Sequence, residues 1–324
     1  MLFLSKTEIE KIVDYKQIIT EIEKSHLVLK KGNYYMPERP VIEKDNKTVM
    51  WMPCFQEGMI ITKMLTLFPE NQKIHMPMIN GLMIINNLED GKFEAVMDAT
   101  LLTALRTGAA GSIGIKYLSH KNYNSVGVVG FGTQGFYQLV FACIVRKIKK
   151  ISIFDRFSAN IGEKIEKLKK AINEPEIEII VCETIEQLLE NSQIVITATT
   201  SVTPVLPDNP ELLKGKCYIA IGSYKPHVRE LPDALWKVLD AAYTEFEFAC
   251  EESGDILLPI EKGLWKKEEV KYICDLIESQ LYLDNPEGKT ILYKSVGMSL
   301  YDWAIAKYVY DRAFELGLGT NVEI

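Results

Sequence analysis

VGVVGFGTQGFYQLVFACIVRKIKKISIFDR, residues 126–156, is the stretch whose reading decides the fold. An apolar run, Val126 to Val129, enters the turn Gly130-Phe131-Gly132-Thr133-Gln134-Gly135. A helix-forming segment follows, and a second apolar run stops at Asp155, about 25 residues past the first glycine. The order is strand, glycine turn, helix, strand, acid. In such a unit Gly130 makes the tight turn, Gly132 lets a pyrophosphate approach the backbone, and Gly135 lets helix and strand pack closely. Free N–H groups at the helix start, carried by Thr133 and Gln134, attract phosphate charge. A bare glycine fingerprint is common in ordinary turns, but here the strand, helix and acid around it agree. The stretch is read as the site of a nicotinamide or flavin dinucleotide. Asp155, ending its strand, suits a ribose 2′-hydroxyl and repels a 2′-phosphate, which favours NAD. Arg156 beside it has the chemistry to stack on adenine or to tolerate NADP.

Downstream, the alternation continues. Ser158 is expected to open a helix with Ile161, Ile165, Leu168 and Ile172 on one face. EIEIIVC reads as a third strand, Thr184 and Gln187 bracket a helix start, and QIVITATTS and CYIAIGS read as two further strands. Alternating strands and helices imply a doubly wound parallel sheet whose ligands gather at the C-terminal strand ends. Besides the glycine turn and Asp155, the residues expected there are Thr197, Ala198, Thr199, Gly222, Ser223 and Tyr224. KTILYKSVGMSLYDWAIAKYVYDRAFELGLG closes the chain as a turn, Ser295-Val296-Gly297, and a long helix.

Upstream, Ser5 and Glu8 form a capping-box pattern, and a helix is expected from about Tyr15 to Lys30, closed by Gly32. Arg39 sits in a stiff P-E-R-P loop, where a surface charge is the simplest reading. Residues 48–68 read as two strands. Lys63 is the one charge in the apolar run MIITKMLTLF, and it must snorkel out, sit on an edge or face a polar cavity. A hairpin turning at Asn87 to Gly91 follows, giving a largely antiparallel, helix-flanked sheet. Asp98 or Thr100 is expected to cap a helix running to about Leu118. Its small residues, Gly108 to Gly114, admit a close neighbour, and Arg106 stands just before them.

Composition narrows the class. The 324 residues suffice for two domains, and 47% apolar with 25% charged residues is ordinary for a globular protein. A net charge of −7 argues against nucleic acid as the main partner, and the short basic run Arg146 to Lys150 reads as a solvated helix end. The six cysteines and four histidines show no ligand spacing, so neither a metal site nor a disulfide framework is expected. The N-terminus lacks a signal-peptide pattern, and no apolar run approaches a membrane span. A cytoplasmic enzyme is expected.

Six ordered blocks, MDATLLTALRTGAAG, VGVVGFGTQG, ITATTSVTPVL, GSYKPHVREL, ESGDILLP and YKSVGMSLYDWA, resemble the ornithine cyclodeaminase/mu-crystallin family over nearly the whole chain. The resemblance implies a Rossmann-type doubly wound parallel sheet over residues 120–298. It also implies a second α+β domain, for substrate binding and homodimer formation, over 1–119 and 299–324. The activity implied is hydride transfer between NAD(P) and the α-carbon of a small amino or imino acid. Carried over, Arg39 and Arg106 hold the substrate carboxylate, a task suited to the guanidinium fork, and Lys63 donates or shuttles a proton. Ser295, Val296 and Gly297 join the cofactor set. One departure matters. Cyclodeaminases and alanine dehydrogenases of the family carry an aspartate two residues after the glycine of GSYKPHVREL, and here that place is Tyr224. A phenol titrating near about 10 is no carboxylate base. Tyr224 is read either as an alternative proton donor or as a pocket wall. The balance tilts toward an amino-acid dehydrogenase or a ketimine or cyclic imine reductase. A cyclodeaminase converting ornithine to proline and an NAD(P)H-holding protein of mu-crystallin type stand as alternatives.

Overall fold

The computed structural model describes residues 1–74, 76–157 and 160–323, and of Gln72 the backbone only. The chain opens with β1 (Leu2–Leu4), α1 (Lys6–Glu10) and α2 (Tyr15–Lys31). Five strands follow: β2 (Val41–Lys44), β3 (Lys47–Gln56), β4 (Met59–Leu67), β5 (Ile79–Asn87) and β6 (Phe93–Asp98). Next come α3 (Ala99–Leu118), β7 (Ser125–Val129), α4 (Thr133–Val145), β8 (Lys150–Phe154), α5 (Ile161–Ile172) and β9 (Glu178–Val181). The chain goes on through α6 (Ile185–Glu190), β10 (Ile194–Thr197), α7 (Pro210–Leu213), β11 (Cys217–Ala220), α8 (Asp233–Trp236) and β12 (Ala241–Thr244). It continues with α9 (Ala249–Glu252), α10 (Gly254–Glu261), β13 (Val270–Tyr272) and α11 (Ile273–Ser279), then closes with β14 (Ile291–Lys294), α12 (Ser299–Leu316) and β15 (Thr320–Asn321).

Local chemistry sets many of these ends. The Ser5–Glu8 capping box forms, with Ser5 N donating to Glu8 Oε2 at 2.8 Å. Asp14 accepts from the N–H groups of Lys16 and Gln17 at the start of α2, and Gly32 ends it at φ 71°. Such caps stabilise a helix by about 1 kcal/mol each. Asp98, not Thr100, caps α3 by accepting from Leu101 N at 2.8 Å. The expected helix start at Ser158 lies outside the described residues; α5 begins at Ile161, and of its expected apolar face only Leu168 is buried.

The chain divides into two units: unit 1 is Met1–Arg106 with Gly297–Ile324, and unit 2 is Thr107–Val296. Unit 1 holds a seven-stranded sheet in the order β15-β1-β6-β5-β4-β3-β2, antiparallel except for the β1–β6 pair. One face is its core, with Met50, Met52, Cys54, Ile61, Leu65, Met83 and Ile85 buried, while α2 and α12 belong to the same unit. The other face carries Trp51, Phe55, Ile60, Met64, Leu82 and Ile84, none of them fully buried.

Unit 2 holds eight parallel strands in the order β13-β12-β14-β11-β10-β7-β8-β9. All their C-terminal ends therefore lie on one edge. From β7 the order runs outward one way through β8 and β9 and the other way through β10 and β11. The break between β7 and β10 is the switch point where such sheets take ligands. The small residues of α3 serve close packing, since a Cβ on Gly108 meets Phe141 and one on Gly114 meets Tyr293. Arg146 is not the solvated residue expected. Its guanidinium donates to the carbonyls of Ile115, Lys116 and Ser119 at 2.8–3.0 Å, closing the C-terminus of α3.

Candidate functional site

On the C-terminal edge of the unit 2 sheet, the glycine turn follows β7. Gly130 has φ +93°, and a Cβ there would stand 2.7 Å from Ala198 O. A Cβ on Gly135 would meet Gly130 O at 2.0 Å, so helix and turn touch directly. Gly132 differs. It caps α4 with no side-chain hydrogen bond, and a Cβ on it would meet nothing within 4 Å. Packing therefore does not require glycine at that position. Gln134 adds a buried side-chain oxygen, Oε1, without a hydrogen-bond partner. Open space, uncapped N–H groups on a 13-residue helix and an orphaned polar atom together fit a dinucleotide pyrophosphate.

Asp155 follows β8, and its two oxygens accept from Phe131 N and Phe157 N, each at 2.9 Å. The carboxylate is thus fixed beside the glycine turn, and each oxygen keeps acceptor capacity for a hydroxyl. Arg156 next to it is exposed. Thr197 ends β10 with Ala198 and Thr199 following it, Gly222 and Ser223 follow β11, and Ser295 and Val296 follow β14. The predicted cofactor residues of unit 2 therefore gather on five adjacent strands, β14-β11-β10-β7-β8. Tyr224 also belongs to unit 2, partly exposed, with Lys225 Nζ 5.9 Å from its ring centroid.

Unit 1 brings together a different set. Lys63 lies mid-strand on β4, opposite Met52 and Met83, and is 1% exposed. It neither snorkels nor sits on an edge. Its Nζ is 2.6 Å from Asp302 Oδ2 on α12, and Asp302 Oδ1 is 3.0 Å from Arg106 Nε. Asp302 is 1% exposed and Arg106 8%. Two basic side chains thus share one buried carboxylate, a cluster whose chemistry suits an anionic ligand. Burial, then the Arg106 guanidinium, drive the Lys63 pKa down; Asp302 opposes them and Arg39 adds to the fall, leaving it at about 7. An ammonium held near neutrality gives and takes a proton readily. The Arg39 loop is tied to β3 by Tyr35–Phe55 backbone bonds and by Trp51 N donating to Pro40 O, which brings Arg39 within electrostatic reach of Lys63. Gly297, at φ +70°, falls in this unit too; a Cβ there would lie 2.1 Å from Arg106 Nη1.

Sequence reading missed Asp302. An acid inside the apolar stretch SLYDWAIA was the available signal, since a buried charge needs a partner. It also missed four fully buried charged residues of unit 2, Glu230, Glu245, Asp255 and Lys294. No group of three metal-ligating side chains occurs among the described residues.

The glycine turn at a parallel-sheet switch point and the strand-end loops around it define a doubly wound α/β protein of the dinucleotide-fold class. More narrowly, the chain belongs to the ornithine cyclodeaminase/mu-crystallin family, which matches residues 1–317. A Delta(1)-pyrroline-2-carboxylate reductase of Bacillus cereus is 29% identical over 334 residues, covering 100% of both chains. The Thermococcus litoralis Delta(1)-pyrroline-2-carboxylate reductase, solved with NADH and L-proline, superposes with a TM-score of 0.92 at 30% identity, covering 99% of this chain and 100% of that one. An archaeal alanine dehydrogenase dimer with bound NAD gives a TM-score of 0.87 at 27% identity, covering 100% of this chain and 99% of that one. No helix among the described residues is long and apolar enough to cross a membrane.

Proposed function

We propose that this protein is an NADH-dependent reductase of a small imino acid, with the five-membered ring of Δ1-pyrroline-2-carboxylate as the first candidate. The observation that carries the proposal is the buried Lys63–Asp302–Arg106 cluster, a proton donor poised near neutrality beside a carboxylate-binding cation. Similarity to imine reductases along the whole chain supports it.

The nicotinamide, when bound, supplies a hydride to the imine carbon. Gly130, Gly132, Thr133, Gln134 and Gly135 are assigned to the pyrophosphate, Asp155 to the ribose with Arg156 at its flank, and the loops at Thr197–Thr199, Gly222–Ser223 and Ser295–Gly297 to the remainder. Asp155 favours NAD over NADP. Arg106, with Arg39, binds the substrate carboxylate, and Lys63 as ammonium delivers the proton to the imine nitrogen. Asp302 holds Lys63 and Arg106 apart and in place. Tyr224 is the second group with a proton to give, and Tyr224→Phe separates a donor from a wall: loss of a donor costs about a hundredfold or more in rate.

For assembly, the apolar second face of the unit 1 sheet, with Leu82 exposed and Trp51, Phe55, Ile60 and Met64 half-buried, fits a homodimer. The six cysteines form no disulfide and all but Cys143 are buried, which fits a reducing cytoplasm.

The test is NADH oxidation with Δ1-pyrroline-2-carboxylate, its six-membered homologue, and 2-oxo acids plus ammonia, alongside ammonia release from ornithine. Turnover of a cyclic imine with stoichiometric NADH loss is expected. Ammonia from ornithine without net NADH change would instead make it a cyclodeaminase. Tight NADH binding with no turnover of any substrate would make it a binding protein.

A further inference from the structure

We propose that Glu230 is a positioning residue: a buried carboxylate, braced by Asp255 and Lys294, that sets the shape of the two dinucleotide loops after β10 and β11. The inference rests on the dinucleotide reading of that edge. Glu230, Asp255 and Lys294 are all fully buried within unit 2, at 0% exposure. Taking three charges out of water is costly, and the contacts that compensate Glu230 converge on the strand ends.

Glu230 accepts four hydrogen bonds. Its Oε1 takes Thr199 N and Thr199 Oγ1, each at 2.7 Å. Its Oε2 takes Thr197 Oγ1 and Gly222 N, each at 2.8 Å. One carboxylate thus ties the end of β10 to the end of its neighbour β11. Each oxygen faces a backbone N–H, a group that only donates, so both positions require an acceptor. An amide in place of the carboxylate would set its NH2 against one of those N–H groups whichever way it turned. The loops are also in direct contact, since a Cβ on Gly222 would stand 2.3 Å from Thr199 O and 2.5 Å from Glu230 Oε1.

Glu230 is itself held from behind. Asp255 Oδ1, at the start of α10, accepts from Glu230 N at 2.7 Å and Leu231 N at 2.9 Å. Asp255 Oδ2 lies 3.3 Å from Lys294 Nζ, the last residue of β14. Lys294 is therefore the cation that offsets the two carboxylates. A third buried carboxylate, Glu245 after β12, repeats the device on the next loop, accepting from Ser295 Oγ and Val296 N at 3.1 and 2.8 Å. The loops that meet the dinucleotide thus take their geometry from charged groups beneath them, rather than from side chains that touch the ligand.

The test compares Glu230→Gln with Leu168→Ala, a core truncation on α5 outside these loops, in the full-length protein. Two readouts serve: the NADH dissociation constant from fluorescence, and hydrogen exchange of peptides spanning 195–202 and 218–224 without ligand. Glu230→Gln is expected to keep the native circular dichroism spectrum, speed exchange in both peptides, and raise the NADH dissociation constant about tenfold or more, as one lost charge-assisted bond implies. Leu168→Ala is expected to lower the melting temperature with an unchanged dissociation constant. If Glu230→Gln binds NADH as tightly as the wild type, or if Leu168→Ala weakens binding equally, the positioning role is refuted. If the wild type itself binds no NADH, the dinucleotide reading fails instead. Should Glu230→Gln not fold, Thr197→Val, which removes a single donor to the same carboxylate, must raise the dissociation constant for the proposal to stand.

Discussion

Asp302→Asn should move the pH dependence of the reaction without changing what the protein binds as cofactor. Asp302 stands 2.6 Å from Lys63 Nζ and opposes the burial and the neighbouring guanidinium that bring the lysine pKa down to about 7. An opposite charge at such range shifts a pKa by about 1–3 units, each worth about 1.4 kcal/mol. Without it, burial, Arg106 and Arg39 act unopposed, and the lysine pKa drops further. Imine reduction needs the ammonium, so the rate falls as pH rises through the lysine pKa. The alkaline limb of kcat/KM, near pH 7 in the wild type, should therefore move down by about 1–3 units. At pH 8 the variant should be about 10-fold to 1,000-fold slower. Breaking a buried pair also costs about 3–5 kcal/mol of stability, so the comparison belongs well below the variant's melting temperature. The assay is the pH profile of NADH oxidation, with the NADH dissociation constant as the control. An alkaline limb that stays in place, or moves upward, would refute the argument.

Two further outcomes follow from single side chains. Gly132→Ala adds a methyl that touches no protein atom, so its melting temperature should match the wild type while NADH affinity falls about tenfold; equal affinity would mean that no ligand approaches that backbone. His26 is wholly buried against the Tyr301 hydroxyl, and burial lowers its pKa to about 3 from an ordinary value near 6.5. The native state then binds fewer protons than the unfolded chain between those values. The His26 contribution is fully present above about pH 6.5 and is lost as pH falls toward 3, at up to about 1.4 kcal/mol per unit. In urea titrations, His26→Gln should lose about 2 kcal/mol less than the wild type between pH 7 and pH 5; parallel losses would exclude this role.

What the sequence made legible was short-range chemistry. The glycine turn, the Ser5–Glu8 box, Gly32 and the hairpin at Asn87 to Gly91 depend on neighbours a few residues away, and each forms as its local pattern dictates. Lys63 could not be settled this way. Its surroundings come from α12, near the far end of the chain, and nothing in MIITKMLTLF encodes a carboxylate overhead. The run Arg146 to Lys150 misled for the same reason, because Arg146 answers the open carbonyls at the end of α3. The strands β12, β13 and β14 are only three or four residues long, too short for a period to declare itself.

The split of unit 1 carries a consequence for biosynthesis. Its first segment ends at Arg106 and its second begins only at Gly297, with the contiguous unit 2 encoded in between. Domains usually complete in order from the N-terminus as they leave the ribosome. In this chain the order is inverted, because the central insertion can finish first while the leading segment waits for its last strand and helix. Until α12 arrives, Lys63 has no counter-ion and the core face of the β-sheet stays open. A nascent chain stalled or truncated before residue 297 would hold a complete nucleotide fold tethered to an unfinished, aggregation-prone partner. Lys63 acquires its counter-ion only once the second segment of unit 1 has been made.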